Sequence, residues 1–162
     1  MGDNSQRVIA DFALVVIHHA PTMVHEIAAW PGAEAALNRF VETHASGATR
    51  HWLSVGPGRF WIIGADTSDL EQAANGLALV DLSNALSCIR LSGPSTRLVL
   101  RKGLPIDLHP AVFPAGSVAT SAIENIVVTV YNRGDSLDLF CRRSFTGSLE
   151  HWLADAALEF LN

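Results

Sequence analysis

The chain reads as an α+β protein in which helices pack on a largely antiparallel sheet. Strand-like segments arrive in neighbouring pairs, helical spacing falls between the pairs without regular strand and helix alternation, and the last stretch carries one continuous apolar helical face. The hairpin is the clearest of these signals. Ile126, Val128 and Val130 alternate with Val127, Thr129 and Tyr131, the run Asn132-Arg133-Gly134-Asp135 supplies turn chemistry, and Leu137, Leu139 and Cys141 resume the alternation.

From the start, Arg7 to His18 is rich in valine and isoleucine and reads as one extended segment, with Thr22 to Trp30 as a second. Pro31 fits a first-turn position, Ala33, Ala36, Leu37, Phe40 and Val41 recur at helical spacing, and Gly47 is a stop, so a helix of about three turns follows. His51 to Val55 and Phe60 to Gly64 flank the turn Gly56-Pro57-Gly58 as strands. Ser68 and Glu71 form a capping box for a short helix carrying Leu70, Ala73 and Ala74 and ending at Gly76. Leu77 to Leu91 is mostly extended, Ser92-Gly93-Pro94 enters a helix that Gly103 terminates, and the proline-spaced stretch Leu104 to Gly116 is loop. In the last helix Phe145, Leu149, Trp152, Leu153, Ala156, Ala157 and Phe160 share one face, which places Trp152 in the core against the hairpin sheet. Glu150 and Glu159 fall on or near the opposite, solvated face.

A length of 162 residues fits one domain, 1–162, with two small lobes around a common core as the alternative. Hydrophobic residues make up 49% and charged residues 17% of the chain, against about 25% charged in an ordinary soluble domain. A large core explains that deficit, and so does a surface covered by a partner. The rarity of large apolar patches on monomers favours the partner. A net charge of −5, with no basic run longer than Arg142-Arg143 or Arg101-Lys102, argues against nucleic acid and anionic membranes. The opening MGDNSQR has no apolar signal core and no apolar run reaches spanning length, so a cytoplasmic location is expected.

Signatures of chemistry are scarce. The glycine-rich stretch Gly56-Pro57-Gly58-Arg59-Phe60-Trp61 lacks the third glycine of a dinucleotide fingerprint and reads as a tight turn. His18 and His19 adjoin but point to opposite faces of a strand, and His25, His44, His51, His109 and His151 are scattered, so no metal site is expected. No GxSxG elbow is present, and Ser83 and Ser92 sit where turn and cap roles explain them. Cys88 and Cys141 lie in apolar strands as structural thiols. No catalytic residue is therefore assigned. Trp30, Trp52, Phe60 and Trp61, at strand ends or beside turns, are candidate interface anchors, although core packing is the ordinary role of such aromatics.

Several segments in order carry a family likeness. They are Gly56-Pro57-Gly58-Arg59-Phe60-Trp61-Ile62-Ile63-Gly64, Val80-Asp81-Leu82-Ser83, Arg90-Leu91-Ser92-Gly93-Pro94, Gly103-Leu104-Pro105-Ile106-Asp107-Leu108-His109-Pro110, Phe113-Pro114-Ala115-Gly116, and Arg143-Ser144-Phe145 leading to Trp152-Leu153-Ala154-Asp155-Ala156-Ala157. From about Val55 to Phe160 the chain resembles the gamma subunit of heterotetrameric sarcosine oxidase, a relative of the aminomethyltransferase of the glycine cleavage system. Residues 51–162 are the core of the likeness, and 1–50 match loosely. The resemblance implies part of the aminomethyltransferase folate-binding fold without a complete site. It also implies a small, non-catalytic subunit of a cytoplasmic complex that oxidises sarcosine to glycine with folate as one-carbon acceptor. FAD, FMN, NAD and tetrahydrofolate are then expected in larger flavin- and folate-binding partner subunits. A subunit of a related N-methyl amino acid dehydrogenase and a free-standing folate-binding protein are the alternatives. By the same resemblance Asp107 falls near folate, whereas its own setting before a proline-bounded loop is that of a turn or cap.

Overall fold

Every strand pair among the described residues is antiparallel, as the paired strand-like segments predict. The structure is a computed structural model and describes residues 8–12, 15–20, 23–45, 50–64, 67, 70 and 74–160. By contact the chain divides into two compact units, one of Met1–Pro21 with Ala85–Asn162 and one of Thr22–Asn84.

The larger unit holds a six-stranded sheet in the order β1 (Val8–Phe12), β2 (Val15–Ala20), β7 (Leu86–Ser92), β10 (Ser136–Arg142), β9 (Ile126–Asn132) and β8 (Val118–Ile123). Period-two alternation aims Ile17, Ile89, Leu91, Val128, Val130, Leu137 and Leu139 at one face, where Leu139 stands opposite both Ile89 and Val130. Two helices join that cluster: α2 (Thr96–Arg101) through Val99 and Leu100, and α3 (Thr146–Ala157) through Leu149, Leu153, Ala156 and Ala157.

The smaller unit is a four-stranded sheet in the order β4 (His51–Gly56), β5 (Arg59–Ile63), β3 (Val24–Ala29) and β6 (Leu77–Asp81). Its helix α1 (Glu34–His44) buries Leu37 and Phe40 in a cluster with Ile27 and Ile62. The three-turn helix forms as its spacing predicts, but Ala36 is exposed and Pro31 sits in the turn that precedes it. Gly47 lies outside the described residues, as does most of the short helix expected after Ser68, of which Leu70 and Ala74 are buried.

Three differences from the sequence reading have physical causes. Arg7 to His18 is not one extended segment, because β1 and β2 fold back on each other with Phe12 paired to Val15 and no glycine or proline to mark the reversal. Strand β8 was not anticipated, since Val118–Ile123 is built of small and polar residues, and its turn into β9 has no glycine although Glu124 takes φ 51°. At the last helix the buried face is narrower than its periodicity. Phe145 lies in a preceding 3₁₀ turn and is 43% exposed, and Trp152 is only partly buried.

Trp152 still packs against that core, at the place where Gly103 leaves room. A Cβ at Gly103 would fall inside contact distance of the indole ring, so α3 and the end of α2 approach more closely than any other residue would permit. Lys102 fastens the same corner: its Nζ donates to the carbonyl of Ala156, pairs with Glu159 at 2.9 Å and lies 5.2 Å from the Phe160 ring centroid. Glu150 is likewise engaged, meeting His19 at 2.5 Å with about a quarter of its side chain exposed, so the far side of the helix is not simply solvated.

Candidate functional site

Asp107 lies in the loop that leaves α2. Burial of Leu104, Leu108 and Phe113, with Ile106 half-buried beside them, pins the loop to the core, and the other residues between these anchors are exposed. The Asp107 carboxylate accepts the N–H of His109 at 2.8 Å, the His109 carbonyl accepts those of Val112 and Phe113, and Arg97 donates to the Leu108 carbonyl at 2.5 Å. The Asp107 to His109 bond has the i to i+2 form of a turn residue. The loop and α2 enclose a cleft of about 450 Å³ lined by Arg97, Leu98, Arg101, Asp107, His109 and Pro110, among others. Arg97 and Arg101 escaped the sequence reading. Their four-residue spacing on a helix was the available signal.

A second polar group crosses the opposite face of the six-stranded sheet. In the register His18 stands beside Arg90, Arg90 beside Asp138 and Asp138 beside Tyr131, so side chains from four strands form one row. Asp138 is fully buried. Its carboxylate accepts Arg90 Nε at 2.6 Å, Arg90 Nη2 at 2.9 Å and Arg133 Nε at 2.5 Å, and Arg133 lies 5.5 Å from the Tyr131 ring centroid. The Asp138 hydrogen bond raises the Arg90 pKa above its ordinary value. Burial, followed by the nearby Arg90 charge, lowers the His18 pKa, and burial raises that of Tyr131. The row is a satisfied ion-pair network that secures the sheet, with its acceptors occupied by guanidinium donors.

The four aromatic interface candidates fall in the smaller unit and do not form one patch. Trp52 and Phe60 pack against the α1 cluster, Trp52 edge-on to Phe40 at 6.2 Å. Trp61 lies in the register row of Glu26, to which its indole N–H donates at 3.0 Å while Arg59 grips both carboxylate oxygens at 2.9 and 2.7 Å. Trp30 is 63% exposed, at the turn before α1.

Nucleophilic chemistry finds little support in this arrangement. Cys88 and Cys141 are buried and not joined in a disulfide, and burial holds the Cys141 thiol above its ordinary pKa, which keeps it protonated near neutrality. Among the described residues no three His, Cys, Asp or Glu side chains converge as metal ligands, and no helix is long and apolar enough to cross a membrane.

Comparison with known proteins gives this geometry a context. The model of the sarcosine oxidase, gamma subunit family matches residues 41–159. The chain belongs to that family. It is 36% identical over 122 residues to the sarcosine oxidase subunit gamma of Corynebacterium sp. (strain U-96), covering 71% of this chain and 58% of the relative. To that of Corynebacterium sp. (strain P-1) it is 40% identical over 116 residues, covering 67% and 56%. The chain therefore spans just under three fifths of the length of these curated relatives. Among solved structures it is similar to a chain of the heterotetrameric sarcosine oxidase from Corynebacterium sp. U-96, in complex with pyrrole 2-carboxylate, at a TM-score of 0.78 and 31% identity over 96% of this chain and 89% of that chain.

Seen as a gamma-family chain, the segments behind the resemblance have structural explanations. Gly103 and Trp152 meet at one contact. Asp81 ends β6 by accepting the Ser83 N–H at 2.8 Å, and Ser83 Oγ accepts the Val24 N–H at 3.1 Å, stitching the turn to β3. The Ser83 hydroxyl, then its N–H, holds the Asp81 carboxyl below its ordinary pKa.

Proposed function

We propose that this chain is the small, non-catalytic subunit of a heterotetrameric, flavin-dependent sarcosine oxidase that converts sarcosine to glycine with tetrahydrofolate as one-carbon acceptor. The larger subunits carry FAD, FMN, NAD and folate, and this chain contributes no reacting group. One observation supports the reading above others: the similarity to a chain of a heterotetrameric sarcosine oxidase runs over 96% of this sequence. The low charge content and the exposed Met23, Trp30, Val80, Leu98 and Val112 agree with a surface that a partner covers. Asp107 serves the loop rather than folate, and of the aromatic candidates Trp30 is the one positioned to anchor a partner.

Fractionation of an untagged host extract tests the assembly. The chain should co-elute with flavin-bearing subunits, and the purified chain alone should be colourless and inactive towards sarcosine. A stoichiometric flavin band, turnover by the isolated chain, or elution apart from any flavoprotein would reject the reading.

A further inference from the structure

We propose that the cleft between α2 and the 106–110 loop is the seat of an acidic, apolar-flanked segment of a larger subunit. The inference rests on the assembly proposed above and names the chemistry of one contact within it.

Charge is the first argument. The chain carries a net charge of −5, yet this cleft brings two guanidiniums, Arg97 and Arg101, to one side of a short helix against a single carboxylate, Asp107. That carboxylate accepts the His109 N–H at 2.8 Å. Arg97 spends one N–H on the Leu108 carbonyl, which orients its planar group and leaves further donors for a ligand. Arg101 is exposed, and its guanidinium has no ion pair or hydrogen bond among the described residues. Of the other described arginines and lysine in this unit, Arg90 and Arg133 engage Asp138, Lys102 engages Glu159 and the Ala156 carbonyl, and Arg143 engages the Leu86 carbonyl; Arg142 is exposed like Arg101 but does not line the cleft.

The apolar part of the site is the second argument. Leu98 stands between the two arginines and is 48% exposed, Ile106 and Leu108 line the same cleft, and Val112, further along the loop, is 62% exposed. Arginine is enriched at interfaces, and the exposed Leu98 and Val112 beside it supply apolar area that a partner can cover. A carboxylate from the partner would meet the fork of Arg101 while an adjacent apolar side chain covers Leu98, so charge and apolar area are matched together.

The test uses the full chain co-expressed with its larger subunits. The variants are Arg101→Glu, Leu98→Asp, the charge-conserving Arg101→Lys, and Glu42→Lys as a control on the exposed side of α1. Thermal midpoints of the isolated variants establish that each folds. Wild type, Arg101→Lys and Glu42→Lys should assemble alike. Arg101→Glu and Leu98→Asp should each weaken retention roughly tenfold, and Arg101→Glu should flatten the salt dependence of assembly. A photo-crosslinker at position 98 should capture a larger-subunit peptide that contains Asp or Glu. Assembly of folded Arg101→Glu and Leu98→Asp at wild-type strength would overturn the docking assignment and leave the assembly proposal intact. Cross-linking to a second copy of this chain, or benzoate binding that Arg101→Glu abolishes without touching assembly, would also overturn it. Failure of the wild type itself to associate would instead reject the assembly.

Discussion

In the six-stranded unit a fully buried carboxylate, Asp138, is held by two arginines whose side chains are 24% and 21% exposed. In the four-stranded unit the analogous pair joins Glu26 to an Arg59 that is 57% exposed. In both a carboxylate is held by arginine in an antiparallel sheet, through the paired Nε and Nη2 of Arg90 at Asp138 and through the single Nη2 of Arg59 at Glu26. The environment differs, and with it the expected energy, because removing one partner of a buried pair strands a desolvated charge while water replaces an exposed one. The larger unit uses charge inside its structure. The smaller unit leaves Arg59 and one aromatic, Trp30, at its surface.

Removing each carboxylate is the strongest way to break that comparison. Asp138→Ala should destabilise the chain by about 3–5 kcal/mol in urea unfolding, since Arg90 and Arg133 lose their common acceptor. Glu26→Ala should cost less, about 1–2 kcal/mol, because Arg59 stays hydrated while the part-buried Trp61 indole N–H loses its acceptor. Equal losses would show that burial does not separate the two pairs.

Glycines offer a second contrast. A Cβ at Gly103 meets the Trp152 indole, whereas one at Gly56 in the smaller unit has nothing within 4 Å. Gly103→Ala should therefore cost about 1–3 kcal/mol, and Gly56→Ala within about 0.5 kcal/mol. A double-mutant cycle sharpens the point, because in a Trp152→Ala background most of the Gly103→Ala penalty should vanish. A penalty that persists there would mean backbone strain rather than the indole is responsible.

Smaller effects follow for the loop and for pH. Asp107→Ala should lose about 0.5–2 kcal/mol, the range of a lost cap, while the proposed assembly keeps whatever folate-dependent turnover the wild type shows. Loss of turnover by a folded and assembled variant would make Asp107 functional after all. His18 has a pKa below the ordinary 6.5, so the unfolded chain binds its proton first as pH falls. The stability it contributes is complete above 6.5 and is lost as pH drops from there through the folded value, and His18→Gln should make that acid-side decline shallower in thermal unfolding. On the alkaline side Cys141 and Tyr131 are raised above 9.0 and 10.0, so the stability they contribute is present below those values and is lost as pH rises through the folded ones. The smallest effect on the isolated chain belongs to Trp30→Ala, within about 0.5 kcal/mol, because the side chain is already exposed. A larger loss would place Trp30 in the fold rather than at a partner.

Much of the architecture was legible along the sequence. The β9–β10 hairpin, the β4–β5 pair around Gly56-Pro57-Gly58, the entry to α2 at Ser92-Gly93-Pro94 and the helix before His44 all rest on periodicity and turn chemistry acting over a few residues. The ordered segments from Gly56 to Ala157 were likewise sufficient to recognise the family. Where local signals were weak, as in the small residues of β8 or the unmarked reversal between β1 and β2, the reading failed.

The tertiary structure alone decided which distant residues became neighbours. His18, Arg90, Asp138 and Tyr131 form one row because four strands pair in a particular register, and nothing in the local pattern of any one strand sets that register. The same holds for Gly103 under Trp152 and for Arg101 beside the 106–110 loop. Local propensity selects helix, strand or turn through the dihedral preferences of neighbouring residues, which a sequence displays directly. Lateral contacts are selected by the joint burial of apolar faces contributed from far along the chain, and only the folded arrangement shows them.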